Sequence, residues 1–218
     1  MSSTAVIFSK QAVIFDMDGV LVDSEPLHNF AFDRVAAEIG HADHSLHFPS
    51  YLGKTDRVLW EDFVAKHPVP HSVEELMDRK NQLLLEALRK NVPIFPGLRQ
   101  LLHDLLPRYK LALASGSRRQ VVEGVIIGAG LDSFFSVRIS TDDVKHGKPD
   151  PEGFLKAAAA IQVAPDRCVV IEDSAAGVEA AHRAAMLAIA ITNSLPREKL
   201  ARADFVVQDY NEIRRLLL

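Results

Sequence analysis

The chain has 218 residues, 48% apolar and 25% charged, with a formal net charge of −4. That length buries a real core as one large domain or two modest ones. The mildly acidic balance leaves no electrostatic footprint for nucleic acid or an anionic membrane surface. One cysteine, Cys168 within the apolar run RCVVIED, excludes an internal disulfide framework and fits a reducing compartment. The segment MSSTAVIFSKQ has no basic region and too short an apolar stretch for a secretory leader, and no run reaches the ~18–20 apolar residues of a membrane span. The expectation is a soluble, cytoplasmic protein with no nucleic-acid or membrane partner. Nothing in the sequence sets the oligomeric state, and a monomer is compatible with it.

Along the chain, AVIF occurs twice. The copy at 5–8 leads to no acid and is expected to be an extra N-terminal segment, packed or frayed. The copy at 12–15 runs into Asp16, Asp18 and Asp23 and reads as the first strand, AVIFD (12–16). The stretch from 27 to 94 shows helical patterns only. LHNFAFDRVAAEIG carries Leu27, Ala31, Val35 and Ile39 at helical spacing and stops at Gly40. KTDRVLWEDFVAKHP ends before Pro68, and SVEELMDRKNQLLLEALRK opens with Ser72 and Glu75 in capping-box spacing. Beyond it come the helix GLRQLLHDLLP, the strand KLALAS (110–115) and the helices RRQVVEGVIIGAG and PEGFLKAAAAIQ. CVVIED (168–173), the helix AAGVEAAHRAAM, AIAIT (188–192) and DFVV (204–207) follow. The strand runs are nearly continuous in apolar residues, as parallel strands covered on both faces are. The fold class predicted is α/β: a doubly wound parallel sheet (Rossmann-like) of residues 1–26 and 95–218, interrupted by an all-helical cap at 27–94.

Ligands of such sheets bind at the carboxyl ends of the strands. Those ends read Asp16-Met17-Asp18-Gly19, Ser115-Gly116-Ser117 and Glu172-Asp173-Ser174, and a nearby loop, HGKPDP, carries Lys148. Each member has an ordinary reading: Asp18-Gly19 as a turn, Ser115, Ser117 or Ser174 as helix N-caps, Lys148 as a solvated loop lysine. Four such coincidences at one edge are less expected than one site. Crowded carboxylates repel unless a cation sits among them, and few hard oxygen ligands suit Mg²⁺. A lysine and a serine-bearing helix start bind anions. Together they suggest phosphoryl transfer with a carboxylate nucleophile. Histidines 41, 44 and 47 in HADHSLH form no firm zinc pattern and are taken as exposed loop residues.

DMDGVLVDSE, LASGS, GKPDPEGF and VVIEDSAAGVEAA, in this order and spacing, resemble the four motifs of the haloacid dehalogenase superfamily of phosphotransferases. The insert between the first two resembles the small helical cap of its β-phosphoglucomutase-like branch. The resemblance implies that Asp16 attacks phosphorus and that Asp18 serves as acid and then base. It implies that Ser115 and the Gly116 amide hold the phosphoryl oxygens and that Lys148 bridges phosphoryl group and nucleophile. Mg²⁺ would be held by Asp16, the backbone carbonyl of Asp18, Asp173 and, directly or through water, Glu172. His28 and Lys80 of the cap would contact substrate, or else be ordinary polar faces of cap helices. Ser117 and Arg118 would hold a distal phosphate.

Two positions depart from the pattern. Mutases of the branch place an arginine three residues after a cap glycine; from Gly53 that count reaches Asp56, with Arg57 one step later. Ala185 stands where a glycine usually follows the fourth motif. Asp23 is placed in the hinge toward the cap. The function implied is a Mg²⁺-dependent phosphatase acting on a small phosphorylated metabolite, a sugar phosphate, through an aspartyl phosphate. The alternative is a β-phosphoglucomutase-type phosphomutase, and a catalytically silent phosphate-binding module is disfavoured because no motif residue is lost.

Overall fold

Six parallel strands form one sheet in the computed structural model, which describes residues 7, 9–46, 51 and 56–218. They are β1 (Ala12–Phe15), β2 (Lys110–Ala114), β3 (Val137–Ile139), β4 (Cys168–Glu172), β5 (Leu187–Ile191) and β6 (Phe205–Val207). Their order is β3-β2-β1-β4-β5-β6. From β1 the chain builds outward to β2 and β3, then returns to β1's other side with β4. This reversal opens a crevice at the carboxyl ends of β1 and β4. The register pairs Phe15 with Ile171, which sets Asp16 beside Glu172.

Alternation along β1 divides the core. Val13 and Phe15 face the layer of α4 (Leu98–Leu105), α5 (Arg119–Gly128) and α8 (Tyr210–Leu217). Ala12 and Ile14 face α6 (Glu152–Ala160) and α7 (Ala175–Arg183), whose alanines let both helices lie close to the sheet. Cys168 is fully buried in that second layer, where burial pushes its thiol up to about 11, a packing residue rather than a nucleophile. Of the first AVIF copy, Ile7 alone is described, and it is buried against the first layer; Ala5, Val6 and Phe8 lie outside the described residues.

Between β1 and α4 the chain forms α1 (Glu25–Glu38), α2 (Asp56–Lys66) and α3 (Val73–Lys90). Pro26 sits in the first turn of α1, where its missing N–H costs nothing. The chain leaves that helix through Gly40 at φ +87°. α3 starts on the expected capping box: Ser72 Oγ accepts from Glu75 N at 3.2 Å and Glu75 Oε2 from Ser72 N at 2.8 Å. Phe32, Trp60 and Phe63 pack α1 on α2, with centroids 4.6 Å and 5.3 Å apart along the row. His41 and His44 are not the exposed loop residues expected. Both are half-buried with their rings against Phe63, and His44 Nε2 lies 3.1 Å from Asp33 Oδ1. His47 lies outside the described residues, as does Gly53.

The two chain segments joining the helices to the sheet run side by side. Asp23 N donates to Pro93 O (2.8 Å) and Phe95 N to Leu21 O (3.2 Å). We propose this crossing as the hinge between a core of 1–26 and 95–218 and a cap of 27–94. Two elements were absent from the sequence reading. β3 is a half-buried three-residue edge strand containing Arg138, and α8 is a C-terminal amphipathic helix capped by Asp209. At the end of α7, Ala185 takes φ +58°, the left-handed conformation that a glycine adopts without a Cβ penalty.

Candidate active site

The carboxyl ends of β1 and β4 bring three carboxylates around one ammonium. Lys148 Nζ donates to Asp16 Oδ1 and to Glu172 Oε1. The other oxygen of Glu172 accepts from the backbone N–H of Asp173 and of Ser174, each at 2.8 Å, and from Ser174 Oγ at 2.9 Å. Ser174 caps α7 by accepting from Gly177 N at 3.0 Å, so its ordinary reading and a site role coexist. Asp173 Oδ2 accepts from Ser194 Oγ. The backbone must come very close here: a Cβ on Gly19 (φ +74°) would overlap the Asp173 carboxylate, and one on Gly177 would overlap that of Glu172.

Asp18, two residues from Asp16, has a different environment. Its Oδ1 accepts from Ser24 Oγ at 2.5 Å, and its Oδ2 accepts from Ser117 Oγ at 2.7 Å with Ser115 Oγ at 3.5 Å. His28, from α1, places Nε2 3.5 Å from Asp18 Oδ1. Its Nδ1 lies 2.9 Å from Lys80 Nζ. An ammonium only donates, so Nδ1 accepts, and the ring proton sits on Nε2, facing Asp18.

The two aspartates are driven apart electrostatically. Burial pushes Asp16 up to about 7, with Glu172 and Asp18 adding to the rise and Lys148 offsetting part of it. Burial also drives Asp173 well above the usual carboxylate range, helped by Glu172 and Asp16. Burial works against ionised Glu172 as well, but Lys148 outweighs it and holds that carboxyl low. Asp18 is held low too: the His28 ring beside it and the hydroxyls of Ser24 and Ser117 overcome its burial. Lys148 is buried yet raised by Asp16 and Glu172.

One carboxylate oxygen from each of Asp16, Glu172 and Asp173 lies within 4.8 Å of the others, and it is the one such cluster among the described residues. Three buried acids share one lysine, so ionising all three leaves negative charge for a further cation to offset. A donor set of hard oxygens of this kind fits a small divalent cation. The Asp18 side chain is outside the cluster, with both its oxygens engaged by hydroxyls.

These groups line a cavity of about 560 Å³ between the strand ends and the helices of the insert. Gly116, Ser117 and Arg118 reach its wall, and Ser115 lies just behind. The N-cap of α5 is Arg118, without a side-chain bond, so neither Ser115 nor Ser117 caps that helix. The Arg118 guanidinium meets Asp78 Oδ1 on α3 at 2.5 Å. His28 lines the cavity, but Lys80, expected to contact substrate, has no exposed surface. Its ammonium is taken by Asp56 and His28 beneath the wall. Arg57 faces the cavity with Nη1 2.8 Å from Glu74 Oε1.

Ser24, Asn193 and Ser194 are additions to the residues expected from sequence. Asn193 Nδ2 donates to Gly19 O at 2.8 Å and holds the turn after Asp18. Extending the strand-end rule to AIAIT would have pointed to Asn193 and Ser194. Ser24 lies within the first motif.

Residues 10–185 match the family model for haloacid dehalogenase-like hydrolases. The chain is 37% identical over 180 residues to a phosphorylated carbohydrates phosphatase of Thermotoga maritima, covering 80% of this chain and 81% of the relative. It is 32% identical over 208 residues to validoxylamine A 7′-phosphate phosphatase of Streptomyces hygroscopicus subsp. limoneus, covering 94% and 96%. Its fold matches the crystal structure of β-phosphoglucomutase from Clostridium difficile with a TM-score of 0.82 and 25% identity, over 95% of this chain and 97% of that one.

Proposed function

The chain belongs to the haloacid dehalogenase-like hydrolase family, and we propose that it is a Mg²⁺-dependent phosphatase of a small sugar monophosphate, working through an aspartyl phosphate on Asp16. The observation that carries this reading is the split between two neighbouring aspartates. Asp16 lies in the lysine and metal-binding cluster, whereas Asp18 stands apart from it on hydroxyls and His28. Neighbouring acids with divergent environments take divergent roles. The named substrates of the two phosphatase relatives supply the substrate class.

In the first step an Asp16 oxygen attacks phosphorus. The bond from phosphorus to the ester oxygen breaks, and that oxygen takes a proton from Asp18, which is ionised in the resting site and receives this proton from the monoanionic phosphate ester as it binds. In the second step Asp18, now ionised, removes a proton from water, whose oxygen attacks phosphorus. The bond to Asp16 breaks and orthophosphate leaves with the proton Asp18 took from water, so both aspartates return to their ionised forms. The hydroxyls and His28 around Asp18 favour its ionised form, the base of the second step. Lys148 aligns Asp16 and offsets phosphoryl charge, and Ser115 with the Gly116 amide binds phosphoryl oxygens. Asp16, Asp173, Glu172 (directly or through water) and the Asp18 carbonyl would hold Mg²⁺, which neutralises phosphoryl charge when bound.

The β-phosphoglucomutase fold match favours one rival, in which a second sugar hydroxyl rather than water receives the phosphoryl group. Supplying β-glucose 1-phosphate with a glucose 1,6-bisphosphate primer, alongside a panel of sugar monophosphates, separates the two. Phosphate release is expected from members of the panel. Efficient conversion to glucose 6-phosphate without net release would overturn the phosphatase reading, and neither activity would leave a silent binding module. No helix among the described residues is long and apolar enough to cross a membrane; a cytoplasmic location belongs to this reading on the strength of the cysteine content.

A further inference from the structure

The wall of the cavity opposite the strand ends has an unusual charge balance. Among the described residues Lys80 is the one charged side chain buried without any exposed surface, and its ammonium is bound by Asp56 and by His28. Asp56 itself lines the cavity with about a quarter of its side chain exposed. Arg57 on the same wall is matched by Glu74, and Arg118, at the junction with the core, by Asp78. Glu25 and Asp142 bring further carboxylates to the lining. Lys145, an exposed residue of the loop before Lys148, is a cation on the core side of the lining.

These pairs differ in strength. The Arg57 and Arg118 pairs are solvent-exposed, and such pairs are weak enough for an arriving dianion to displace them. The Lys80–Asp56 pair is not: withdrawing Asp56 would strand a buried ammonium, and the pair is sealed under the wall. Lys80 therefore lends no net positive charge to the space above it, while Asp56 turns an acceptor-only carboxylate toward that space. Asn81 and Thr141 line the same region with neutral hydrogen-bonding groups. A hydroxylated chain or ring satisfies these groups; a second phosphate placed over Asp56 meets acid, even where the exposed Arg57 and Arg118 are free to turn to it.

We propose that Asp56 is a specificity-determining residue that, by neutralising Lys80 and facing the cavity, restricts the site to monophosphates whose remainder is neutral and hydroxylated. This rests on the phosphatase reading for the identity of the first phosphate. It works by placing a repulsive element against the wrong ligand as well as an attractive one for the right ligand.

The test uses the full-length protein with Mg²⁺ and the variants Asp56→Asn, Lys80→Met and Asp56→Asn/Lys80→Met, each checked for folding by circular dichroism and melting. Glucose 6-phosphate and glucose 1,6-bisphosphate are titrated calorimetrically, and phosphate release from each is measured in parallel. Asp56→Asn frees the lysine charge and should raise the affinity ratio of bisphosphate to monophosphate about tenfold. Lys80→Met leaves the acid alone and should lower that ratio, while the double variant should return near the wild-type value. If Asp56→Asn does not fold, the double variant compared with Lys80→Met carries the same prediction. A ratio unmoved by Asp56→Asn, or equal in Lys80→Met and the double variant, overturns the role of Asp56. Absence of phosphate release from all sugar monophosphates with the affinity ratios shifting as stated would instead overturn the phosphatase reading alone.

Discussion

The two walls of the cavity use charge in opposite ways. At the strand ends Asp16, Glu172 and Asp173 are crowded around the single ammonium of Lys148, and their acidity is displaced in different directions by burial and by one another. Across the cavity Lys80 and Arg57 are each already matched by a carboxylate, as is Arg118 at the junction with the core. The first wall stores unbalanced charge that a cation and a phosphoryl group complete, which is how a site prepares for a charged transition state. Among the described residues the cations of the second are paired before anything binds, which suits the recognition of neutral hydroxyls. The backbone follows the same division. Gly19 and Gly177 leave no room for a Cβ beside the acids, whereas the opposite wall is built from helices whose side chains alone set its chemistry.

The contrast can be broken most severely at Asp16. Asp16→Asn is expected to cut phosphate release by at least ~10⁴-fold while circular dichroism and melting stay near wild type; retained turnover would remove Asp16 as nucleophile. Stripping divalent ions with EDTA should abolish release, and adding Mg²⁺ should restore it; metal-independent turnover would show that Lys148 alone balances the acids. On the other wall the effects shrink. His28→Ala removes the ring proton facing Asp18 and should lower kcat about tenfold, less than the ~10²-fold or more of a direct proton transfer because His28 acts through Asp18, with little change in KM. A change confined to KM would make His28 a binding group only. The smallest effect lies outside both walls. Ala185→Gly relieves the left-handed residue after α7 and should stabilise the fold by about 1 kcal/mol, with kcat unchanged; a lower melting temperature would contradict the strain at that position.

Much of the core wall was legible because parallel strands carry their burial in one dimension. AVIF, LALA and CVVIE are apolar runs, and whatever follows them must emerge at the sheet's carboxyl edge, so Asp16, Ser115 and Asp173 were placed by counting. β3 escaped because an edge strand of three residues, one of them Arg138, has no such run. Ser194 stands at the carboxyl end of the AIAIT run, where the same counting reaches it, but its role follows only from its partner Asp173. The cap wall was harder to read. A helical period says which residues share a face, not which face meets the cavity, so nothing in the pattern corrects the substrate contact that the resemblance implies for Lys80, which lies beneath the surface with Asp56. His41 and His44 read as loop polar residues because their packing against Phe63 depends on α2, remote in sequence.

The central claim is that the phosphoryl group passes through Asp16 on its way to water. Its most direct test is a single turnover with enzyme in excess over a ³²P-labelled sugar monophosphate that the panel shows to be hydrolysed, quenched in acid at short times and mapped by peptide. Label should appear on the peptide containing Asp16, decay as inorganic phosphate accumulates, and be absent from Asp16→Asn. Label that enters inorganic phosphate with none passing through that peptide at any time would contradict the account.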